Sequence, residues 1–451
     1  MTSSSTNSNS DSQTLLKQRV LFFGEAVTLS HIARPMVLAQ GLKERGHDAI
    51  IACDPRFDHL FENYDIERIA LDSITTNTFL SAANKGKPLF DFQTLSRYID
   101  DDLKIIEQVN PDIIVGDVRH SLAVSTKLQA LNRSIPYLSI TNAYWSPYAS
   151  VNFHMPPGNL TRMLGQAIAD RIFDLARPFV FKAHAKHLNR LRKRHGLPPI
   201  GKNLHDVHTF ADHTLYADVP DMFSMKTRPS NHHFIGPINW SPNIQLPIWW
   251  NDLPNDKPIA YVTCGSSGSE QQLIEIANAL EKAPVTVMIA TAKRCDPKLL
   301  PKQAFIADYL PGDQAASRAD VVICNGGSPT THQALSQGCP VIACPENLDQ
   351  MLNMQGITRT GAGISLDATF AGRLSSTTAK AKAIANATMK VINDTTFRQK
   401  AQAVQDIFEQ FDPVDQLERV IASCISPANF TSTEQLASSI SSSQTNARAS
   451  V

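Results

Sequence analysis

The chain has little that would commit it to nucleic acid, to a bilayer or to an oxidising compartment. Lys plus Arg number 42 and Asp plus Glu 42, so the formal net charge is zero. A basic excess, the global footprint of a nucleic-acid partner, is absent. No apolar run approaches the ~20 residues that span a bilayer. The N-terminus, MTSSSTNSNSDSQTLLKQ, lacks the basic start and apolar stretch of a signal peptide. The seven cysteines form neither a C-x-x-C pair nor a zinc spacing, and most lie inside apolar, strand-like runs, so they read as buried, reduced thiols. These absences predict a cytoplasmic protein with no nucleic-acid partner.

What is present is an alternation. At 451 residues the chain exceeds one ordinary core and suits two domains of about 200 residues. Residues 1–18 and 428–451 are rich in Ser, Thr and Asn and read as disordered tails. Between them short β-rich runs alternate with helical stretches. RVLFFG (19–24) precedes a helix expected over PMVLAQGLKER (35–45), and HDAIIAC, PDIIVGD and IPYLSITN read as further strands. TLSRYIDDDLKIIEQV (94–109) carries Leu95, Ile99, Leu103 and Ile106 at helical spacing. From Trp145 to His213 two helical segments, 160–176 and 181–196, interrupt the rhythm. The Pro- and Trp-rich stretch 241–258 reads as a linker.

The rhythm restarts with IAYVTCG (259–265), VTVMIAT, QAFIADYL (303–310), DVVICN and PVIAC as strands, and a closing helix is expected over 412–427. The expected organisation is an N-terminal domain over 19–240 and a C-terminal domain over 259–411. Strands alternating with helices predict an α/β fold of two doubly wound, Rossmann-like halves. Ligands of such sheets bind at the carboxyl ends of the strands, here facing a central cleft.

The segment 320–350, DVVICNGGSPTTHQALSQGCPVIACPENLDQ, carries the most chemistry. After a buried strand, Gly326 and Gly327 let the backbone approach a ligand. Ser328 is placed as the N-cap and Pro329 at the first helical position. A helix N-terminus with free N–H groups and hydroxyls suits a diphosphate; the same residues also describe an ordinary capped turn. TCGSSGS (263–269) is a second strand-to-helix turn with the same two readings.

The ordered elements Gly326–Gly327, Ser328, Thr330–Thr331, Gly338-Cys339-Pro340 and Asp349–Gln350 resemble the donor-binding signature of glycosyltransferase family 1, the UDP-glycosyltransferase-like enzymes of GT-B fold. The resemblance runs roughly from Val20 to Phe411. It implies a sugar transferase with no cofactor and no bound metal. Ser328 and the Thr330–Thr331 amides, with Asn325 and Gly327 beside them, would hold the diphosphate. Asp349 and Gln350 would bond the donor sugar. Ser266 and Ser267 match the first phosphate-contacting loop, and Tyr309 and Leu310 match the segment that cradles the base. The chain departs from the family by carrying Asn325 where many relatives have His.

In the first half the family places its catalytic His on the loop after the first strand, which is His31 here, although three residues rather than two separate it from Pro35. An acceptor hydroxyl is a poor nucleophile until a base takes its proton, and a His base needs a carboxylate to fix its tautomer. Asp117, ending IIVGD, is the candidate partner. The implied reaction is an inverting transfer from a nucleotide diphosphate sugar, uridine being the family default, to a small apolar or lipid-like acceptor.

Three features read instead as solvated faces: Asp100-Asp101-Asp102, the set His184, His187 and His195, and the basic RLRKRHG, for which peripheral membrane contact stays open. A nicotinamide oxidoreductase would need G-x-G-x-x-G after a first strand, and RVLFFGEAVTLSH lacks it. A GT-B epimerase acting on the donor alone and a silent nucleotide-sugar-binding protein remain as alternatives.

Overall fold

The computed structural model describes residues 17–130, 133–367 and 376–425. Almost all of the two Ser-rich tails lies outside them. The first half holds β1 (Arg19–Gly24), β2 (Asp48–Cys53), β3 (Glu67–Ala70), β4 (Ile113–Asp117), β5 (Tyr137–Thr141), β6 (His213–Tyr216) and β7 (His232–Phe234) in the order β3-β2-β1-β4-β5-β6-β7. The second holds β8 (Ile259–Thr263), β9 (Thr286–Ala290), β10 (Phe305–Ala307), β11 (Val321–Cys324), β12 (Val341–Ala343) and β13 (Gly363–Ser365) in the order β10-β9-β8-β11-β12-β13. Neighbouring strands pair parallel throughout both sheets. Such sheets are covered on both faces, so their strands read as continuous apolar runs. The fold is GT-B: two Rossmann-like α/β halves facing one cleft.

Among the helices, α1 (Ser30–Glu44), α2 (Thr76–Asn84), α3 (Phe92–Val109) and α4 (Leu122–Gln129) flank the first sheet. Then come α5 (Asn159–Leu164), α6 (Gln166–Arg194) and α7 (Leu204–Thr209). The second half adds α8 (Glu270–Leu280), α9 (Gly312–Arg318), α10 (Ser328–Leu335), α11 (Leu348–Thr360), α12 (Thr377–Asn393), α13 (Thr395–Phe408) and α14 (Pro413–Ile425).

Several sequence expectations are corrected. The first helix opens at Ser30, so Pro35 sits inside it rather than at its start, and His31 lies in its first turn rather than on the loop before it. Proline gives up its N–H and crowds the carbonyl one turn before it, and burial of Ile32, Met36, Leu38 and Leu42 against the sheet outweighs that loss. The two helical segments after Trp145 are largely one 29-residue helix, α6, with Pro178 inside. The strand expected over 303–310 reduces to Phe305–Ala307. The short strands β6 and β7, four and three residues, give too little periodicity to read from sequence.

The chain returns to its first half at the end. Leu417, Val420 and Ile421 of α14 join the core beneath β1 and α1, each worth about 1.5–3 kcal/mol when fully buried. A Cβ on Gly41 of α1 would lie 2.4 Å from Val414, so the glycine sets how closely the two helices pack.

The acidic run in α3 is not uniformly solvated. Asp100 is exposed, but Asp102 is fully buried. Its Oδ1 accepts from Arg119 Nε at 2.9 Å, and Glu25 Oε2 accepts from Arg119 Nη1 at 2.8 Å. The Tyr98 ring stacks beneath the guanidinium at 3.5 Å. Burial pushes both carboxyls up from their ordinary range while Arg119 opposes the shift. His184 likewise turns partly inward, and burial pushes its imidazole down to about 4.

A buried charge cluster loses most when one member is removed. Arg119→Met leaves two buried carboxyls without their cation and should cost about 3–5 kcal/mol in urea denaturation. Ser125→Ala, which deletes one hydroxyl donor to Asp102, should cost about 1–2 kcal/mol. Equal effects would contradict this account of the cluster.

Candidate active site

Strands β1 and β4 lie side by side with Gly24 opposite Asp117, so both end at the same edge of the sheet. A Cβ on Gly24 would stand 2.9 Å from Ile32 Cδ1 and 3.0 Å from the His31 carbonyl. Glycine there lets α1 start directly over the strand ends. The next residue after Asp117, Val118, has φ +59°, a left-handed conformation costly for a β-branched side chain. Strain of this kind persists where surrounding contacts over-determine it, and here Asp117 and Arg119 on either side are both locked into buried ion pairs.

Asp117 is fully buried. Its Oδ1 lies 3.1 Å from His31 Nδ1. Arg34, one turn along α1, grips the same carboxylate with both arms, Nε to Oδ2 and Nη2 to Oδ1, each at 2.8 Å. Burial raises the Asp117 pKa, but Arg34 and then His31 outweigh it and hold the carboxyl below its ordinary range. An ionised carboxylate only accepts hydrogen bonds. The proton of neutral His31 therefore belongs on Nδ1, leaving Nε2 with a free lone pair. The 3.2 Å approach of Arg34 Nη2 to the same nitrogen is then a donor-to-donor contact, tolerated because both share Asp117.

The buried polar chain continues across the cleft. Arg34 Nη1 donates to Asn142 Oδ1 at 2.9 Å, and Asn142 Nδ2 to Asp218 Oδ2 at 3.2 Å. The Ala143 amide meets the same oxygen at 2.6 Å. Asp218 Oδ1 lies 3.4 Å from His332 Nε2 on α10, within ion-pair range but without hydrogen-bond alignment.

On the facing side the ends of β8 and β11 align Thr263 with Cys324. Ser266 Oγ, in the loop after β8, accepts from the Leu29 amide at 3.3 Å. This bond joins the second half to Leu29, the cap of α1, two residues before His31. Asn325 is buried and its amide nitrogen donates to Cys264 O at 2.9 Å and Ser267 Oγ at 3.3 Å. Its Oδ1 accepts from the Gly327 amide at 3.2 Å. It ties the two turns together. Gly326 has φ +86°, and a Cβ there would press on Met354 and Ala343, so only glycine fits.

The cap of α10 is Gly327, with Ser328 as its first residue, so the helix begins one position earlier than the sequence suggests. The Thr331 amide already donates to Gly327 O at 3.2 Å, and its hydroxyl is buried against Ser328 O and Asn353. Of the two threonine amides, Thr330's is the one at the helix mouth. Asp349 Oδ1 accepts from Trp145 Nε1 at 2.8 Å, a second bridge between the halves. Gln350 is buried and its Oε1 accepts from the Glu346 amide at 2.8 Å. Tyr309 is half-buried with Lys293 5.8 Å above its ring, and Leu310 is buried in the core. Burial pushes the Cys324 thiol up to about 12, which leaves it inert.

An aromatic run leads away from His31. Phe79 stands edge-on to the imidazole with centroids 6.4 Å apart. His120 meets Phe90 and His208 edge-on, and His208 stacks on Trp145 at 4.9 Å. Burial drives His120 down to about 3, so it is neutral. Among the described residues no group of three His, Cys, Asp or Glu is placed to hold a metal ion.

With this geometry in hand the likeness to known proteins is informative. The family "Erythromycin biosynthesis protein CIII-like, C-terminal domain" matches residues 271–421. A "PGL/p-HBAD biosynthesis rhamnosyltransferase" of Mycobacterium bovis (strain BCG / Pasteur 1173P2) is 43% identical over 392 residues, covering 87% of this chain and 84% of the relative. The chain belongs to the GT1-like glycosyltransferases. Two solved structures of spinosyn rhamnosyltransferase SpnG share the fold of this glycosyltransferase. One, complexed with thymidine diphosphate, has TM-score 0.61 at 17% identity, covering 89% of this chain and 99% of SpnG. The other, complexed with spinosyn aglycone, has TM-score 0.61 at 18% identity and the same coverage.

Sequence reasoning missed Arg34, Asn142, Asp218 and His332. Arg34 carried one signal: it lies three residues after His31, on the same face of a helix.

The depressed Asp117 pKa has a pH consequence. Stability from this carboxylate is fully present above the unfolded value of about 3.9 and is lost as pH falls through the lower folded value. Asp117→Asn should therefore be less stable than the parent near neutrality, with the gap closing below about pH 4. Urea midpoints over a pH series check this, and a gap independent of pH would contradict it.

Proposed function

We propose that this glycosyltransferase inverts the anomeric centre in one in-line displacement, with His31 as the base. Nε2 of His31 takes the acceptor hydroxyl proton as oxygen attacks, and Asp117 stabilises the imidazolium that forms. The nucleotide diphosphate leaves from the opposite face. The Ser328 and Thr330 amides at the mouth of α10, with the Ser266 loop, stabilise the charge on the departing diphosphate. This arrangement supplies that stabilisation without a metal. The observation that carries the reading is the 3.1 Å His31–Asp117 contact, made in the first turn of a helix whose cap, Leu29, is bonded directly to Ser266.

Within that site the donor roles divide. Thr330, Ser328 and Gly327 meet the diphosphate, and Asn325 and Thr331 hold the turns that present it. Asp349 bonds the sugar, Gln350 sets the turn before it, Ser267 backs the first loop, and Tyr309 and Leu310 border the base. The 43% identical relative is named a rhamnosyltransferase and the fold neighbour SpnG is complexed with thymidine diphosphate. These favour a thymidine diphosphate deoxysugar, with rhamnose first, over the uridine that the family pattern suggests.

The acceptor reading is a hydroxyl on a small apolar or lipid-like molecule. The Phe79 ring beside His31, with the rings of Phe90 and Trp145 that pack on His120 and His208, supports it, as does the relative's name, which places that protein in PGL/p-HBAD biosynthesis.

Two measurements test the proposal. His31→Ala should lower kcat by about 10²–10⁴-fold, the range supplied by a general base, with the donor's Kd unchanged. Normal turnover would remove His31 from the mechanism. Thermal denaturation should respond more to dTDP than to UDP, because the tighter ligand stabilises the folded state more at equal concentration. The reverse order would restore uridine.

A further inference from the structure

The outer face of α6 is unlike the rest of the surface. Ile168, Ile172, Leu175 and Phe179 follow one another at spacings of four, three and four, which sets them on a single stripe of the helix. All four face solvent, Leu175 at 77% and Phe179 at 76% exposure. Met163 on α5, exposed at 66%, precedes the stripe. The opposite face, Ala169, Phe173, Phe181, Ala185 and Leu188, is buried. Continuing the stripe by the same spacing reaches Lys182, Lys186, Arg190 and Lys193, all exposed. The face is therefore apolar over its first half and basic over its second. Helix α6 holds eight Lys or Arg against two Asp. Both acids are engaged, Asp170 by His154 at 2.9 Å and Asp174 by Arg177 at 3.4 Å.

We propose that this face docks the enzyme on an anionic membrane surface, the apolar half entering the headgroup boundary and the basic half lying on acidic headgroups. Apolar insertion and attraction to anionic lipid together give the stable contact that neither gives alone. Charge complementarity selects this occupant over a second copy of the chain. Self-pairing along the whole face would set Lys186 and Arg190 against either their own counterparts or the apolar half. Pairing by the apolar half alone covers four side chains a copy, well short of the roughly 800 Å² per partner of a stable interface. Among the described residues no helix is long and apolar enough to cross a membrane, so the contact is peripheral. It does not depend on the identity of the acceptor or on His31.

The full chain should co-sediment with phosphatidylcholine vesicles containing about a third phosphatidylglycerol, at least about tenfold better than with phosphatidylcholine alone, and less well as salt rises. Leu175→Glu/Phe179→Glu and, separately, Lys182→Glu/Lys186→Glu should each lower that partitioning by about tenfold or more. Both should retain the parent's circular dichroism spectrum and its turnover of a water-soluble acceptor. Equal binding to both vesicle types, or none to either, would overturn the proposal. So would a dimer that Leu175→Glu/Phe179→Glu dissolves while vesicle binding is absent, which would make the second copy the occupant.

Discussion

A carboxylate without access to water is held ionised only by fixed positive charge and hydrogen-bond donors around it. Asp117 has both: two arms of Arg34 and the Nδ1 edge of His31 converge on its two oxygens. The rest of the site follows from that triad. Gly24 lets α1 start above the strand ends, Val118 accepts a left-handed backbone as the chain leaves Asp117, and Asn142 fixes the remaining arm of the guanidinium. The imidazole is left one orientation and one tautomer.

The facing half is organised by different means. Its turns are bound to one another by neutral side chains. Asn325 links the loop after β8 to the turn after β11, and Asn353 donates to both the Gly326 carbonyl and Thr331. Such preorganised donors cost no reorganisation when charge develops on a leaving group. The halves share an apolar core that includes Tyr144, Met222, Phe223, Leu335 and Leu352, and specific contacts cross between them: Leu29 with Ser266, Trp145 with Asp349, and Phe223 lying where a Cβ on Gly356 would stand. The Trp145 bridge couples the wall of the proposed acceptor pocket to the residue proposed to bond the sugar.

Much of this frame was legible in the sequence. Long apolar runs such as RVLFFG and IIVGD marked central strands, because parallel strands buried on both faces need no polar alternation. The Gly-Gly turn was legible as a strand-to-helix turn, whereas Asp349 and His31 were singled out by the resemblance to the family's signature. What escaped was what depends on contacts distant in sequence. Asp102 sits among exposed acids in α3, and only Arg119 and Glu25 make it a buried ion. Arg34 meets Asp117 across 83 residues, and Asp218 meets Asn142 across 76. The outer face of α6 was half seen: its basic end was noted, but Pro178 hid that the apolar residues before it share the same helix.

The claim at the centre is that Asp117 holds His31 with its proton on Nδ1 and a free lone pair on Nε2. Nitrogen-15 NMR of the imidazole in the full chain at a pH where His31 is neutral, assigned by its loss in His31→Ala, reads the tautomer directly. The account predicts a protonated Nδ1 and an unprotonated Nε2, with that preference weakened in Asp117→Asn. A protonated Nε2 in the parent protein would contradict it.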